Sequence, residues 1–348
     1  MTQGARPPRR ATTIAEVANA AGVSRQTVSN TLNAPHRVHP DTLARVTAAI
    51  EELGYRPDQS ARSLRTGERR TIGYLAPVDD PFDPNPLMAG FLEALVDAAA
   101  AEGHRVLLVR PAPGEAAARA AIDELVAARQ VDGLVFADVL HDDARVARAA
   151  GAGVPFAAFG RTTADLPQHW VDIDNGAAMA DVVRHLAARG HRRVGFAASA
   201  ADLPWMAARR EGFHAEARRL GLDVVQPPPG GPGAPGVAGA PGVAPLRALL
   251  RGPDRPTAVA AESDLSALDV YEAIRAEGLA VGRGVAVTGF HDTPLCRHLH
   301  PALTSVRLPL RAIASALVRL LLAQVRGQTV PAAGQVLATE LVVRTSSE

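Results

Sequence analysis

Two short amphipathic helices joined by a glycine-bearing turn are predicted close to the start of the chain. Thr13 and Glu16 have the spacing of a capping box, in which a hydroxyl and a carboxylate each satisfy a free amide at a helix start. Apolar residues recur at helical spacing: Ile14, Val17, Ala18 and Ala21. Gly22 permits the left-handed turn that ends this helix, and Ser24 is a good N-cap for the next one. This pattern predicts a helix-turn-helix.

The second helix is predicted from Arg25 to Leu32. Val28 and Leu32 lie one turn apart, so we expect both in the small core. The outer surface then carries polar side chains: Arg25, Gln26, Ser29 and Asn30. In the major groove of DNA, Arg can bond guanine O6 and N7, and Gln or Asn can bond adenine N6 and N7. The two-helix pattern alone is equally compatible with a plain packing motif inside another domain.

A third helix is predicted from Pro40 to Leu53, with Gly54 as its C-terminal stop. One of its faces is apolar: Leu43, Val46, Ile50 and Leu53. Three helices can close a core, so the region is predicted to be a small all-α domain.

After residue 70 the pattern changes to apolar runs that alternate with helical segments. Strands are predicted at 72–76, 105–109, 133–137, 155–159, 193–198, 257–261 and 284–290. Helices are predicted at 87–102, 115–129, 176–189, 207–220 and 264–277. Apolar runs without internal alternation indicate strands covered on both faces, hence parallel sheets with helices on either side. Some 280 residues exceed one comfortable core, so we expect two α/β lobes.

The charge of the chain is unevenly distributed. Its 348 residues have a net charge of +1, yet residues 1–70 hold 11 Arg against 6 Asp and Glu, which favours a polyanion as the partner of this end. Residues 1–11 are predicted to be a disordered basic arm. They show no secretory signal, and no later stretch has the length of a membrane span, so we expect a cytoplasmic protein. Cys296 is the only cysteine, which excludes an internal disulfide and a multi-cysteine metal site.

An Arg-rich segment, Y-R-P-D-Q-S-A-R-S-L-R-T-G-E-R-R, follows the third helix at residues 55–70. Its pattern leaves one apolar residue exposed, Leu64. An apolar side chain among arginines suits a minor-groove wedge, because the wedge unstacks a base step while the cations hold the phosphates on either side. A flexible basic linker is the alternative.

The order A-G-V-S-x-x-T-V-S, L-N, G-Y-x-P and A-R-S-L resembles the lac-repressor (LacI) family of bacterial transcription regulators. The resemblance implies a helix-turn-helix domain at 12–57 and a hinge helix at 58–70 that folds only on operator DNA, with Leu64 as the residue that enters the minor groove. The candidate DNA-binding residues are Thr13, Ser24, Arg25, Gln26, Thr27, Ser29, Asn30, Arg37, Tyr55, Arg62 and Leu64.

The similarity continues through I-G-Y at 72, D-N-G at 174, R-G-H-R-R-V-G-F at 189, R-R-E-G-F at 209, V-T-G-F-H-D at 287 and L-T-S-V at 303. For residues 71–348 it implies a fold like the type I periplasmic sugar-binding proteins, with two lobes, three crossing strands and an effector in the cleft. Ligands of open α/β sheets sit beyond the carboxyl ends of the strands. The candidate effector-binding residues are Phe82, Arg161, Trp205, Arg209, Ser263, Asp264 and His291.

Among these, Arg209 matches the arginine that clasps effector hydroxyls in sugar-responsive members. Its guanidinium offers several donors in a fixed fork, although a surface ion pair is the alternative. Trp205 could stack on a sugar ring or belong to the core. Phe82 stands near an aromatic residue that lines the cleft in the family.

Two departures from the family pattern concern the ligand. Ser263 and Asp264 stand where sugar-binding members have Asn-Asp, and His291 replaces the first aspartate of a Gly-Phe-Asp-Asp motif. A neutral imidazole has one acceptor nitrogen whereas a carboxylate has four lone-pair sites, which leaves room for a differently substituted or even anionic effector. A structural role for His291 is the alternative.

Residues 227–245 consist of Pro, Gly and small apolar residues. Such a composition cannot build a core, so it predicts a flexible surface insertion between a strand and a helix.

The sequence contains none of the enzyme signatures that we sought: G-x-G-x-x-G after the first strand, G-x-x-x-x-G-K, G-x-S-x-G and H-E-x-x-H. We expect no catalytic residue, cofactor or metal site. The chain is predicted to be a ligand-gated repressor that binds an inverted-repeat operator in double-stranded DNA and a sugar or related effector, without a membrane partner. A homodimer is expected: the resemblance implies that an extra C-terminal helix with leucine heptads tetramerises some family members, and the residues L-V-V-R-T-S-S-E show no such heptads. A cytoplasmic small-molecule-binding protein, or an enzyme with a fused DNA-binding head, is the alternative.

Overall fold

The computed structural model describes residues 12–55, 68–76, 86–163, 165–198, 203–227, 242–330 and 334–348. Its contacts divide the chain into an N-terminal unit, Met1–Arg69, and a C-terminal unit, Arg70–Glu348. The predicted basic arm, most of the predicted hinge and insertion, and the candidate residues Arg62, Leu64 and Phe82 lie outside the described residues.

The N-terminal unit is helical, as the sequence predicts. It contains α1 Ile14–Ala21, α2 Arg25–Asn33, a 3-10 turn Pro35–Arg37 and α3 Pro40–Glu52. The capping box is formed: the Thr13 amide donates to Glu16 Oε2 at 2.6 Å, and the Glu16 amide donates to Thr13 Oγ1 at 3.4 Å. Gly22 ends α1 in the left-handed conformation with a φ of 63°. The helices close on a small core of Val17, Ala18, Ala21, Val28, Val46 and Ala49.

The position of Leu32 corrects the sequence prediction. Val28 is fully buried as expected, but 37% of Leu32 is exposed. Thr31 is buried instead, and its hydroxyl donates to the Thr27 carbonyl at 3.0 Å. The buried side of α2 therefore contains residues 28 and 31. Leu32 lies about 100° further around the helix than Thr31 and so points away from this side.

The C-terminal unit alternates strands and helices. Its first part contains β1 Thr71–Leu75, α4 Pro86–Ala101, β2 Arg105–Val109, α5 Glu115–Ala127, β3 Gly133–Phe136, α6 Ala144–Gly151, β4 Phe156–Phe159 and β5 Trp170–Ile173. Its second part contains α7 Asn175–Ala188, β6 Arg193–Ala197, α8 Pro204–Arg219, β7 Asp223–Val225, α9 Val243–Leu250, β8 Ala258–Ala261, α10 Asp264–Ala276, β9 Ala286–His291, a 3-10 turn Pro294–Arg297 and β10 Thr304–Arg307. The chain continues through α11 Leu310–Val325, β11 Gln335–Leu337 and β12 Glu340–Val342.

The strands form two sheets, which confirms the prediction of two α/β lobes. The first sheet has the order β11-β5-β4-β3-β1-β2, and the second has the order β12-β10-β9-β8-β6-β7. Neighbouring strands are parallel, except that the edge strand β12 runs antiparallel to β10. Among the described strands, the chain passes between the sheets after β5, after β10 and after β11. These three crossings agree with the number that the resemblance implies.

Several elements of this unit were not predicted: α6, β5, β7, α9, β10, α11, β11 and β12. Most of the predicted insertion lies outside the described residues. Its last residues, Val243 to Pro245, form the first turn of α9, with Pro245 and Leu246 buried. The insertion prediction is therefore wrong for these three residues. The apolar residues that follow, Leu246, Leu249 and Leu250, pack against the second sheet, and the helix that they belong to begins at Val243.

Helices α7 and α8 approach each other through two glycines. A Cβ atom added to Gly212 in α8 would lie 2.3 Å from the carbonyl oxygen of Gly176 in α7. Cβ atoms in proteins do not approach other atoms so closely. The contacted atom belongs to the backbone, which cannot move aside as the end of a flexible side chain can. The two helices can therefore keep this separation only with glycine at position 212.

We predict that Gly212→Ala destabilises the C-terminal unit by about 1–3 kcal/mol, the usual cost of overpacking a tight contact. The matched control is Gly151→Ala at the end of α6, where an added Cβ would meet no atom within 4 Å. This control should be neutral or slightly stabilising, because alanine is the better helix former. Thermal unfolding of the two variants beside the parent measures both effects. Equal midpoints for Gly212→Ala and the parent would contradict the packing argument.

Candidate functional sites

The polar side chains of α2 face solvent in the N-terminal unit. Arg25 and Gln26 are exposed, whereas Ser29 and Asn30 are half-buried. Gln26 Nε2 donates to Asn30 Oδ1 at 3.0 Å, so the two amides are aligned one turn apart on the same side of the helix. The groups that suit base edges therefore form a continuous polar strip along α2.

The other candidates of this unit surround that strip or hold the helices. Thr13 caps α1, while Ser24 Oγ accepts the Thr27 amide at 3.1 Å and lies 2.9 Å from Thr27 Oγ1. Arg37 is exposed in the 3-10 turn, and Tyr55 packs against the small core. The Thr13 and Ser24 side chains satisfy the Glu16 and Thr27 amides and so fix the starts of α1 and α2.

A cavity of about 430 Å³, a volume that includes open solvent, lies between the two lobes of the C-terminal unit, at the carboxyl ends of the strands. We call this cavity the chamber. The first lobe contributes Asp138 and Asp172, and the second contributes Asn175, Trp205, Arg209 and His291. Apolar residues complete the lining: Leu87, Met88, Phe159, Ile173 and Leu308. The chamber thus combines an apolar body with a few polar groups, as small-molecule sites generally do.

Arg209 is the most highly connected side chain of the chamber and is only 3% exposed. Its Nε donates to Asn175 Oδ1 at 2.9 Å, and its Nη1 donates to the Glu262 carbonyl at 2.7 Å. The guanidinium carbon also lies 4.4 Å from the ring centre of Trp205 and 3.6 Å from that of Phe290. Arg209 is therefore not the surface ion pair that the sequence left open.

The remaining nitrogen of Arg209, Nη2, bonds no atom of the described residues. Trp205 Nε1 is buried and likewise has no partner in the described part of the chain. Burial lowers the pKa of Arg209 to about 9, so the guanidinium stays cationic at neutral pH. The second lobe therefore lines the chamber with the Arg209 guanidinium and the Trp205 ring.

His291 is the acceptor for a third Arg209 bond. The distance between Arg209 Nη1 and His291 Nε2 is 3.1 Å, and since a guanidinium can only donate, Nε2 accepts and the imidazole proton is assigned to Nδ1. Burial, together with the charge of Arg209, lowers the pKa of His291 well below its ordinary value. The imidazole is therefore neutral, and its one acceptor nitrogen is already used within the protein.

Asp172 supplies acceptor oxygens from the first lobe. Its Oδ1 accepts the Ile173 amide at 2.8 Å, and its Oδ2 lies 3.8 Å from Arg161 Nε. Burial raises the pKa of Asp172. Arg161 itself is exposed, with its guanidinium carbon 4.5 Å from the ring centre of Trp170. Carboxylates on one wall thus face the Arg209 guanidinium and the Trp205 ring on the other.

A larger cavity of about 1140 Å³, which includes open solvent, adjoins the chamber and is called the mouth below. Both lobes line it with polar side chains, among them His141, Arg161, Thr163, Asp174 and Glu211. Trp205 and Asp172 line both cavities. Arg161 therefore belongs to the mouth and not to the chamber.

Ser263 and Asp264 are placed differently from the sequence expectation. Ser263 caps α10 by accepting the Ser266 amide at 3.1 Å. The Asp264 carboxylate is 1% exposed and accepts from Ser305 Oγ at 2.6 Å and from the Thr293 amide at 2.8 Å. Neither residue is among those that line the chamber or the mouth. Asp264 instead ties α10 to β10, because its two oxygens are occupied inside the second lobe.

Three polar residues of the chamber were missed by the sequence reasoning: Asp138, Asp172 and Asn175. Asp138 directly follows the strand predicted at 133–137, so its place at a strand end was a usable signal. Asp172 lies within β5, which was not predicted, and Asn175 comes two residues after β5, at the start of α7. Without that strand, nothing in the sequence brought these two residues to the cleft.

Within the described ranges, no helix is long and apolar enough to cross a membrane, and no group of three or more His, Cys, Asp and Glu residues could hold a metal ion.

A helix-turn-helix unit in one chain with a two-lobed unit that has a partly polar chamber between its lobes defines a ligand-responsive DNA-binding regulator. Residues 13–58 match the model of the bacterial regulatory proteins of the lacI family, and residues 183–347 match that of the periplasmic binding protein-like domain. The regulator reg1 of Streptomyces lividans is 32% identical, over 97% of this chain and 96% of its own. The chain belongs to the LacI family of bacterial transcriptional regulators.

Solved structures agree with this assignment. A lac repressor dimer bound to operator has a TM-score of 0.80 at 26% identity and covers 97% of this chain and 99% of its own. A complex of the transcriptional regulator CelR with cellobiose has a TM-score of 0.69 at 30% identity and covers 97% of this chain and 100% of its own. The full length of both relatives is matched, so the fold prediction is confirmed for the DNA-binding and ligand-binding parts alike.

The neutral state of His291 predicts a loss of stability in acid. Its pKa is lower in the folded than in the unfolded protein, so the unfolded state binds the extra proton, and stability falls as the pH drops below about 6.5. We expect His291→Gln, which does not titrate, to flatten the decline of the unfolding midpoint between pH 7 and pH 5. The exposed His298 of the same lobe supplies the control, His298→Gln. Parallel pH profiles for His291→Gln and the parent would refute this account.

Proposed function

We propose that the protein is a homodimeric repressor of the bacterial cytoplasm that binds an inverted-repeat operator and is gated by a sugar or a related small molecule. The observation that carries the proposal is the chamber, which Asp138 and Asp172 line from one lobe and the Arg209 guanidinium and the Trp205 ring line from the other. A polyol supplies both partners, because each hydroxyl donates one bond and accepts others.

The arrangement also suggests how a ligand controls DNA binding. A molecule that bonds Asp172 and Arg209 at once is bound best when the lobes are close together, so its binding shifts the population towards that orientation. Coupling to the operator then requires that the two orientations differ in DNA affinity. In a homodimer, a change of lobe orientation alters the pairing of the two hinge segments, 58–70.

DNA recognition is assigned to the polar strip of α2. Arg25, Gln26 and Asn30 are the base-reading candidates, and Leu64 in the hinge is the candidate wedge for a deformable pyrimidine-purine step at the operator centre. A dimer with two such helices requires half-sites related by symmetry, hence an inverted repeat.

Catalysis is not part of the proposal. Two of the polar groups of the chamber are engaged within the protein: His291 accepts from Arg209, and Asp172 Oδ1 accepts from the Ile173 amide. The relatives are regulators and not enzymes. If the chamber were catalytic, incubation with a ligand that binds would convert it, which chromatography of the recovered ligand detects.

The proposal is tested by fluorescence anisotropy of the full chain on its own upstream DNA, with a panel of neutral sugars and sugar phosphates added in turn. We expect specific operator binding and at least one sugar that changes its affinity. Specific DNA binding without any response to a sugar would contradict the sensing part, and absence of specific binding would contradict the whole.

For the DNA surface, Gln26→Ala should relax discrimination at one base pair per half-site, at a cost of about 1–3 kcal/mol for the preferred base. Arg62→Ala should weaken operator and random DNA alike, since a phosphate contact carries no base information. Competition binding with single-base operator variants distinguishes the two patterns. The assignment fails if both variants lose the same affinity on every sequence.

For the sensor, Arg209→Lys should keep a cation in the chamber but remove the planar guanidinium, which donates to Asn175, to the Glu262 carbonyl and to His291. We expect a roughly ten- to hundredfold loss of sugar affinity, since a hydrogen bond from a charged donor is worth about 1.5–3 kcal/mol. Operator affinity without ligand should change little. The control is Arg218→Ala, an exposed arginine at the far end of α8. Titration calorimetry in which Arg209→Lys binds as tightly as the parent would place the sensing site elsewhere.

A further inference from the structure

Within the described strands, the chain crosses between the two lobes at three places. The first crossing is Asp174, between β5 and α7, and the second is residues 308–309, between β10 and α11. The third is residues 338–339, between β11 and β12. Asn175 directly after the first crossing and Leu308 in the second also line the chamber. A change of lobe orientation must be absorbed by the backbone of such segments, because the packed lobes move as units.

Arg307 lies where the second crossing starts and the third crossing ends. It is the last residue of β10, and the strand register places it opposite Glu340, the first residue of β12, and beside His291, the last residue of β9. Arg307 Nη1 donates to Glu340 Oε2 at 3.1 Å, and Arg307 Nε donates to Asp292 Oδ2 at 2.8 Å. One guanidinium therefore joins both crossing segments to the residue that follows His291.

Asp292 is buried beside this guanidinium, with only 5% of its side chain exposed. Its Oδ1 lies 2.7 Å from Arg344 Nη2, and its amide donates to Ser305 Oγ at 3.0 Å. The backbone φ is 114° at His291 and 50° at Asp292, a region that residues other than glycine rarely adopt. Such a conformation persists only where the surrounding structure fixes it. The bonds of Asp292 to three neighbouring side chains supply that constraint.

The backbone at His291 in turn directs the imidazole towards the chamber. His291 Nε2 accepts from Arg209 Nη1 at 3.1 Å, and Arg209 Nε donates to Asn175 Oδ1 at 2.9 Å, directly after the first crossing. Adjacent residues therefore form one connected series: Asn175, Arg209, His291, Asp292, Arg307 and Glu340. The series reaches the three crossings named above, and its first three members line the chamber.

We propose that Asp292 is a positioning residue that couples the chamber to the lobe crossings. It holds His291 against Arg209 and, through Arg307, holds the segments that cross at 308–309 and 338–339. A ligand that displaces Arg209 or His291 then alters the support of these crossings together. For its consequence this proposal rests on the proposed ligand-gated function, but the coupling itself can be tested without any ligand. Such coupling is demonstrated by perturbing one end of the series and measuring the other.

Hydrogen exchange of the full chain without ligand, followed by mass spectrometry, tests the proposal through Asp292→Asn. This substitution keeps the shape of the side chain and removes the charge that Arg307 and Arg344 contact. We expect exchange to become about tenfold faster at residues 289–293 and 305–310 and also at 172–178, the factor for one charge-assisted hydrogen bond. The last segment is decisive, because no hydrogen bond or ion pair of the described residues joins it to Asp292.

Two further variants supply the control and a second perturbation. In Asp223→Asn the lost partner is Arg193, whose Nε donates to Asp223 Oδ2 at 2.6 Å at the amino ends of β6 and β7. This control should speed exchange only near those two residues. Glu340→Gln changes an exposed side chain that the fold can spare. It should speed exchange at 338–342 and, by a smaller factor, at 289–293, since water screens an exposed ion pair.

The double variant Arg209→Lys with Asp292→Asn distinguishes one connected series from independent contacts. If both residues act through His291, exchange at 172–178 should be no faster than in the faster single variant, whereas independent effects multiply. Unchanged exchange at 172–178 in Asp292→Asn, or at 289–293 in Glu340→Gln, would overturn the proposal, as would multiplied rates in the double variant. Each of these results would leave the ligand-gated function standing, because that function is tested separately on operator DNA.

Discussion

The ligand site depends above all on one buried guanidinium. A charged group removed from water is costly unless its donors are satisfied, so Arg209 constrains whatever surrounds it. Its planar fork requires acceptors in fixed directions, and these come from separate elements: Asn175 at the start of α7, the Glu262 carbonyl after β8, and His291 at the end of β9. Arg209 thereby joins the carboxyl edge of the second sheet to two helices, and its guanidinium lines the chamber.

The identity of residue 291 decides what this guanidinium does electrostatically. A carboxylate there would neutralise Arg209 directly, whereas the neutral imidazole accepts its hydrogen bond and leaves the charge uncompensated nearby. The negative charges that favour the cationic form of Arg209 belong first to Glu262 and then to Asp172 and Asp138 of the opposite lobe. Attraction between Arg209 and these first-lobe carboxylates favours close lobes even before a ligand enters. A neutral ligand preserves that attraction, while an anionic one competes with it.

Local patterns were predictable, and long-range placement was not. The capping box of Thr13 and the turn at Gly22 depend on neighbours within four residues, so the helix-turn-helix was found directly. Strands covered on both faces were found as unbroken apolar runs, but β5 contains Asp172 and escaped notice. Asp264 carries the chemistry of a ligand contact, and only the fold shows that Ser305 and Thr293 occupy it. Leu32 was wrongly predicted to be buried. Its spacing of four residues from Val28 places both on similar sides of α2, but does not show which side the other helices cover.

The spacing of two motifs explains how backbone packing and ligand chemistry are connected. Asn175 precedes Gly176 in α7, and Arg209 precedes Gly212 by three residues, nearly one turn of α8. The contact between the two glycines sets the distance between these helices, and the same distance brings Asn175 Oδ1 to 2.9 Å from Arg209 Nε. A side chain at Gly212 would separate the helices and lengthen that bond. The position of the guanidinium in the chamber is therefore set by a contact that no ligand touches.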